Sequence, residues 1–178
     1  MKSTIRKIWD AATAVLVCLV VAFAGLLVGP KLFGLDVYIV LSGSMEPVYS
    51  AGDLIYVKEV DPFELEEGTI ITFMLSEETI ATHRIVEVVP DEEDDAVIRF
   101  KTKGDANESE DGGLVHYKNV IGAPIFSVPK LGYVANFIQE APGTYVAIAA
   151  GALILALVFI PDLFGDDEEK STPKKDVK

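Results

Sequence analysis

Long apolar runs lie near both ends of the chain. Residues 11–30 and residues 141–161 contain no Asp, Glu, Lys or Arg. A helix needs about 20 residues of this kind to cross the hydrocarbon core of a bilayer. The pattern therefore predicts two transmembrane helices at these positions and leaves residues 31–140 as a single domain between them.

The segment between the two apolar runs has the pattern of β-strands. Its apolar residues form short or alternating runs rich in Val, Ile, Thr, Phe and Tyr, and no part of it has a sustained helical period. We therefore predict a mainly β, antiparallel domain, with the acidic residues 90–95 as an exposed hairpin loop. The predicted strands are Val37–Leu41, Leu54–Lys58, Thr69–Met74, Thr79–Val89, Ala96–Thr102 and Val115–Ile121.

The remaining segments give the expected topology. Residues 1–10 carry three basic residues and one acidic residue. This basic flank places the N-terminus in the cytoplasm and sends residue 31 and those after it to the outside. Residues 130–140 have the spacing of a short amphipathic helix, which would either lie at the membrane surface or pack on the β domain. Residues 162–178 are charged and lack apolar periodicity, so we expect a disordered tail.

A cleavable signal peptide is the alternative interpretation of the first apolar run. Such a signal has an apolar core of about 7–15 residues, followed by small residues at a cleavage site. Here the core is longer, and Gly29-Pro30-Lys31 and strand-like sequence follow it. The sequence therefore favours an uncleaved membrane anchor.

Acidic residues dominate the predicted β domain. Residues 31–140 contain 8 Lys or Arg and 21 Asp or Glu, and the whole chain has a formal net charge of −13. A surface of this charge repels nucleic acid, which we exclude as a partner, and would suit a high-salt environment. The chain has one cysteine, Cys18, and two histidines. An intrachain disulfide is therefore excluded, and we expect no metal site and no cofactor.

A turn rich in hydroxyl groups, residues 42–53, separates the first two predicted strands. Gly43 would allow tight or left-handed backbone angles beside Ser44, and Pro47 would stop the segment from continuing as a helix. Ser44 would then be held rigidly, with backbone N–H groups free to face a developing oxyanion. For Ser-Gly-Ser alone, an ordinary polar turn is the alternative interpretation.

The longer string Ser-Gly-Ser-Met-Glu-Pro at residues 42–47, followed by Gly52-Asp53, is more specific. It resembles the nucleophile box of type I signal peptidases, especially of their archaeal and endoplasmic-reticulum branch. The resemblance implies that Ser44 is the nucleophile. It also implies an oxyanion hole formed by the backbone N–H of Ser44 and the side chain of Ser42.

His83, which Arg84 follows, matches the position of the base in this family. Bacterial members carry Lys there, whereas archaeal and reticulum members carry His. The resemblance therefore implies a Ser/His mechanism in which His83 takes the proton of the serine. We expect Arg84 to be structural, and we assign His116 no role. Three lysines at non-matching positions are rival bases, namely Lys58, Lys101 and Lys103.

Residues 102–111 resemble the family's Lys-Gly-Asp-Asn box, in which a second aspartate follows six residues after the first. The resemblance implies that Asp111 orients the base and stabilises the imidazolium, with Asp105 as a brace or secondary partner. Ala106 and Glu110 stand where close relatives often have Asn and Asp. The choice between the two aspartates therefore stays open.

Taken together, the resemblance implies a multi-pass serine endopeptidase on the outer face of the cytoplasmic membrane of an archaeon. Its partners would be the lipid bilayer and preprotein signal peptides with small residues before the cleavage site, close to the translocon. The substrate would bind extended against a strand edge, with Met45 and Ile39 as pocket candidates. The alternatives are a self-cleaving Ser/Lys peptidase of the repressor type and a noncatalytic, membrane-tethered β scaffold.

Overall fold

A computed structural model of the chain describes residues 2–91 and 97–165. The chain divides into two compact units. Residues 26–136 form one unit, which contains the β-strands. The other unit consists of residues 1–25 together with the chain from residue 137 onward.

Within the described residues, seven strands form one antiparallel sheet. Their order across the sheet is β1-β2-β7-β3-β4-β5-β6, which makes β1 an edge strand and β7 a central one. The prediction of a mainly β, antiparallel domain is confirmed. The strands are β1 Leu35–Ile39, β2 Leu54–Lys58, β3 Ile70–Met74, β4 Ile80–Pro90, β5 Ile98–Lys103, β6 Leu114–His116 and β7 Val120–Val128. Short 3-10 helices span Gly29–Phe33, Pro62–Glu64 and Tyr117–Asn119.

The prediction of one continuous strand over Val115–Ile121 is wrong. This segment is split into β6 and β7, because the Nδ1 atom of His116 accepts a hydrogen bond from the backbone N–H of Lys118 and a 3-10 turn follows. β7 then continues to Val128 through Pro124, a residue that disfavours central strands. It is tolerated because the register between β2 and β7 shifts there, so that Tyr56 faces Phe126 while Val57 faces Pro124.

Two apolar clusters stabilise this unit. The larger lies on one face of β3 to β6 and consists of Ile71, Phe73, Ile85, Phe100 and Val115. The smaller joins Leu54 and Tyr56 of β2 to Ala135. Burial of such side chains is the main favourable term in folding and holds the sheet that carries the site.

The amphipathic segment forms a helix, α2, over Leu131–Gln139. Gly132 and Ala135 are buried, and Ala135 packs against the second cluster. Of the two predicted placements, packing on the β domain is therefore observed for this face. The side chains of Tyr133, Val134 and Phe137 are 45–59% exposed, so the helix also presents an apolar face that the sheet does not cover.

The two apolar runs form helices, α1 over Lys2–Val28 and α3 over Gly143–Gly165. Residues 4–33 are long and apolar enough to cross a membrane, whereas the second run qualifies only when α2 and α3 are counted together as one bent pair. The Nε1–H of Trp9 donates a hydrogen bond of 3.3 Å to the carbonyl of Leu157. Residues 162–165, predicted to begin the tail, are helical. The rest of the predicted tail and residues 92–95 of the predicted hairpin loop lie outside the described residues.

Candidate active site

The hydroxyl-rich turn is a closed loop between β1 and β2. The backbone N–H of Val40 donates to the carbonyl of Asp53, and that of Gly52 donates to the carbonyl of Val40. Inside the loop, the N–H of Tyr49 donates to the carbonyl of Met45, whose side chain is only 2% exposed. Buried Met45 therefore anchors the loop one residue after Ser44.

Within this loop, Gly52 is the glycine with a left-handed backbone. Of the tight or left-handed angles predicted for Gly43, the structure shows the tight turn: the N–H of Glu46 donates to the carbonyl of Gly43 at 3.0 Å, and the positive-φ glycines of the described chain are Gly34, Gly52 and Gly68. Gly52 has φ of 89°, and a Cβ atom there would collide with the ring of Tyr133.

The carboxylate of Asp53 completes this end of the loop. It is 7% exposed and accepts hydrogen bonds from the backbone N–H groups of Ser50 and Lys130, at 2.9 and 3.1 Å. The Gly-Asp pair therefore connects the loop between β1 and β2, which carries Ser44, to the start of α2.

His83 lies between Ser44 and Asp111. Its Nε2 atom is 3.2 Å from Ser44 Oγ, and its Nδ1 atom is 2.6 Å from Asp111 Oδ2. The side chains of His83 and Asp111 are 15% and 22% exposed. Ser42 Oγ donates a hydrogen bond of 3.2 Å to Ser44 Oγ. The three predicted segments thus meet in one chain of hydrogen bonds, with the geometry that nucleophile, base and orienting group require.

The loop after β5 reaches Ser44 through its backbone. The N–H of Ala106 donates to the carbonyl of Ser44 at 2.8 Å. Gly104 lies so close that a Cβ atom there would be 2.6 Å from the same carbonyl oxygen. Further along, the N–H of Asp111 donates to the carbonyl of Thr102 at 2.9 Å. These contacts explain why a glycine begins this loop and how its aspartate reaches His83.

Asp105 has a different partner. Its two carboxylate oxygens accept hydrogen bonds from Nε and Nη2 of Arg84 at 2.8 and 2.6 Å, and Arg84 Nη1 donates to the carbonyl of Gly68. The hydrogen bond from Arg84 lowers the pKa of Asp105, and the charge of the guanidinium lowers it further. Asp105 therefore braces the strand that carries His83, while the Nδ1 contact belongs to Asp111.

A groove of about 350 Å³ passes beside Ser44. Both pocket candidates, Met45 and Ile39, line it. Sequence reasoning missed other lining residues, namely Tyr38, Val40, Leu41, Tyr49, Ile55, Glu78, Ile80, Ala81 and Thr82. The alternation of apolar and polar residues in β1 and β4 does not predict these lining residues. A groove between two strands depends on which strand edges come together in the folded chain, and this is not a local property of the sequence.

Two strand edges beside the groove are available to an extended peptide. In the described part of the sheet, β1 has a neighbour, β2, on one side only. β4 pairs with β3 from Ile80, but its pairing with β5 starts at Arg84. Unpaired backbone groups of this kind can add a peptide strand.

Known proteins with similar sequences are signal peptidases. The chain is 47% identical over 92 residues to "Signal peptidase I W" of Bacillus subtilis, which covers 51% of this chain and 47% of that protein. It is 33% identical over 129 residues to "Signal peptidase complex catalytic subunit SEC11C" of Rattus norvegicus, covering 67% and 66% of the two chains. The corresponding sec11 subunit of Dictyostelium discoideum is 32% identical over 115 residues, 60% of this chain and 62% of that one. No family model matches the chain.

This chain belongs to the type I signal peptidase family. The matches span about half to two thirds of the length of these curated relatives. The sequence similarity therefore extends well beyond residues 42–53 and the other short motifs of the site.

The residue that contacts Ser44 Oγ in this chain is a histidine, His83, and not a lysine. Among the rival lysines, Lys101 forms an ion pair of 2.7 Å with Glu110, and this hydrogen bond raises the pKa of Lys101. An amine that is kept protonated in this way has no free lone pair and does not act as a base. Lys58 and Lys103 end β2 and β5. His116 caps the 3-10 turn after β6 and lies outside the site.

Proposed function

We propose that this protein is a membrane-bound serine endopeptidase that removes N-terminal signal peptides from exported preproteins. The observation that carries the proposal is the position of the His83 ring, whose two nitrogens lie 3.2 Å from Ser44 Oγ and 2.6 Å from Asp111 Oδ2. A serine is a weak nucleophile until a neighbouring base accepts its proton, and that base works only when a third group orients it. The similarity to signal peptidases supplies the substrate class.

In the proposed reaction, Ser44 Oγ attacks the scissile carbonyl carbon while His83 Nε2 takes the hydroxyl proton. The tetrahedral intermediate then collapses, the peptide C–N bond breaks, and the imidazolium gives its proton to the leaving amine. The signal peptide is left as an ester on Ser44. Water attacks this ester while His83 Nε2 takes its proton; the ester C–O bond then breaks and the imidazolium returns the proton to Ser44 Oγ, which releases the signal peptide as a carboxylic acid. Asp111 holds the imidazole tautomer and stabilises the imidazolium in both steps.

The negative charge on the carbonyl oxygen needs donors. We assign these to the backbone N–H of Ser44 and the hydroxyl of Ser42. In the free protein the Ser42 hydroxyl donates to Ser44 Oγ. Since that oxygen moves onto the substrate carbon during attack, rotation about χ1 of Ser42 can redirect its proton to the new oxyanion. Donors placed in this way are the largest single contribution in many acyl transfers.

The substrate would lie extended in the groove along the unpaired edges of β1 and β4. The groove is lined mainly by apolar side chains, and Met45 and Ile39 are among them. A groove of about 350 Å³ that must also hold the peptide backbone favours small side chains next to the cleaved bond. This agrees with the small residues that end secretory signals.

We place the peptidase in the cytoplasmic membrane with two spans and its catalytic unit outside. Support comes from the basic N-terminal flank, from two charge-free runs, and from the hydrogen bond between Trp9 near the start of α1 and Leu157 near the end of α3. The exposed apolar face of α2 suits the membrane surface. The bilayer, signal peptides and the nearby translocon are the partners we propose.

The proposal is tested with the full chain purified in detergent and a preprotein with a small-residue cleavage site. The wild-type protein is expected to release a signal peptide of defined length, whereas Ser44→Ala releases none. The two proteins should have matching circular dichroism spectra and melting temperatures. Cleavage that persists in Ser44→Ala would refute the serine mechanism. A folded wild-type protein without any cleavage would favour a noncatalytic scaffold.

A further inference from the structure

Thr102 has a fully buried hydroxyl at the edge of the site. It lies near the end of β5, opposite Ile85 of β4, and its exposure is 0%. Buried threonine hydroxyls require a hydrogen-bond partner, since an unpaired one destabilises the fold. The partner of Thr102 is therefore a guide to what its hydroxyl does.

That partner is the carboxylate of Asp111. Thr102 Oγ1 donates a hydrogen bond of 2.7 Å to Asp111 Oδ2, the same oxygen that lies 2.6 Å from His83 Nδ1. The backbone N–H of Asp111 in turn donates to the carbonyl of Thr102 at 2.9 Å. The two residues are thus joined in both directions, by side chain and by backbone.

We propose that Thr102 is a positioning residue of the peptidase, which holds Asp111 so that one carboxylate oxygen faces His83. This inference rests on the proposed function. Thr102 does not touch the reacting atoms and acts through Asp111.

The need for such a residue follows from the surroundings of Asp111. Glu108, Ser109 and Glu110 before it are exposed, and so are Gly112 and Gly113 after it. A carboxylate on so open a loop can rotate about χ1 and χ2 unless donors fix it. Thr102 is part of β5, and Phe100 of the same strand belongs to the larger apolar cluster. The backbone that carries the Thr102 hydroxyl is therefore held in place by the packed sheet. A donor from a rigid strand can therefore fix a carboxylate on an exposed loop.

The test compares three variants in the preprotein assay. Thr102→Val removes the hydroxyl and keeps the shape, and Thr102→Ser keeps the hydroxyl. Thr72→Val removes the other fully buried threonine hydroxyl, whose partner is Thr82 and not a triad member. We expect Thr102→Val to lower kcat by about 10- to 100-fold with little change in KM, because it removes one hydrogen bond to a charged group. Thr102→Ser and Thr72→Val should keep kcat within about threefold of wild type.

A second measurement does not depend on turnover. The Nδ1–H of His83, bonded to a carboxylate at 2.6 Å, should give a low-field proton NMR signal in the Ser44→Ala protein. His83→Ala assigns this signal. Adding Thr102→Val should broaden or abolish it through faster exchange with water, and adding Thr102→Ser should retain it. A purely structural role for Thr102 would leave the signal in place.

The outcomes separate the two proposals. If the wild-type protein cleaves and Ser44→Ala does not, the proposed function stands. Wild-type kcat and an unchanged low-field signal in Thr102→Val would then overturn the role of Thr102 alone. If Thr102→Val does not fold, Thr102→Ala removes the hydroxyl without a branched apolar group, and wild-type kcat in that variant would equally overturn the inference.

Discussion

At the scale of single residues, the site separates groups that react from groups that hold them. In the proposed mechanism Ser44 and His83 exchange the proton; in the structure Ser42 Oγ donates to Ser44 Oγ, and Asp111 contacts the imidazole. Asp105 instead forms a two-bond pair with Arg84. Two aspartates of one loop therefore have different chemical surroundings, and their substitution should have different consequences.

Ser42→Ala should lower kcat by about 10²–10³-fold with KM nearly unchanged, because it removes the oxyanion donor that we propose acts mainly in the transition state. The measurement is steady-state cleavage of a preprotein in detergent. Ser50→Ala is the matched control: it removes another serine hydroxyl from the same loop, where the hydrogen bond to Asp53 comes from the backbone. Equal kcat in Ser42→Ala and wild type would assign Ser42 to the turn only.

Asp111→Asn should lower kcat by about 10⁴-fold without loss of folding, because an amide no longer selects the required imidazole tautomer. Asp105→Asn should change kcat far less and should mainly destabilise the fold, by about 1–2 kcal/mol. Cleavage assays and urea unfolding of both variants measure this. The reverse ranking of the two kcat values would move the orienting role to Asp105.

The ion pair of Arg84 and Asp105 predicts how the stability of the fold changes at acid pH. The hydrogen bond from Arg84 lowers the pKa of Asp105 from the ordinary value of 3.8. The stabilisation by this carboxylate is therefore fully present above about pH 3.8 and is lost as the pH falls through the lower, folded-state pKa. The free energy of unfolding should consequently fall more steeply below pH 3.8 in wild type than in Asp105→Asn. Parallel curves from urea unfolding between pH 2.5 and 5 would contradict this.

At the scale of elements, the site depends on a close approach between the loop after β5 and the loop between β1 and β2 that carries Ser44. Gly104 makes this approach possible, since a Cβ atom would meet the Ser44 carbonyl oxygen at 2.6 Å and the Asn107 side chain at 2.7 Å. The N–H of Ala106 then bonds to the same carbonyl. Movement of either loop therefore changes the position of Ser44 relative to His83.

Gly104→Ala should destabilise the fold by about 1–3 kcal/mol and reduce kcat by more than about tenfold, because backbone atoms must move apart. Thermal unfolding and preprotein cleavage are the measurements. Gly113→Ala belongs to the same region but has nothing within 4 Å of the added Cβ atom, so it should have little effect on either. Similar effects of the two substitutions would show that the contact at Ser44 is not the cause.

At the scale of the whole molecule, the proposed function requires a membrane topology that places the site outside. Residues 4–33 are long and apolar enough to cross a membrane. An enzyme anchored in this way meets substrates whose own apolar segments are in the same bilayer. The position of residues 143–165 decides whether the chain crosses once or twice.

Cysteine labelling measures this topology. In a Cys18→Ser background, single cysteines replace Ser3, Ser76 or Ser171, and intact cells or right-side-out vesicles receive a membrane-impermeant maleimide. We expect labelling at position 76 only, and labelling at 3 and 171 after the membrane is opened. Labelling of position 171 from outside would show that the chain crosses the membrane once. Labelling of position 3 with protection of position 76 would show that the orientation is the reverse of the proposed one.

The sequence by itself determined the fold class, the apolar runs and the residue types of the site, because strand alternation, helix length and the short boxes are local properties of the chain. The tertiary structure decided the rest. Which aspartate contacts His83 depends on the path of a loop fixed by Thr102, Arg84 and Gly104. β7 continues through Pro124 because a register shift with β2 accommodates it. A side chain at Gly52 is excluded because the ring of Tyr133, far along the chain, occupies the space where its Cβ atom would lie. These features arise between segments distant in sequence, where no local pattern records which atoms will meet.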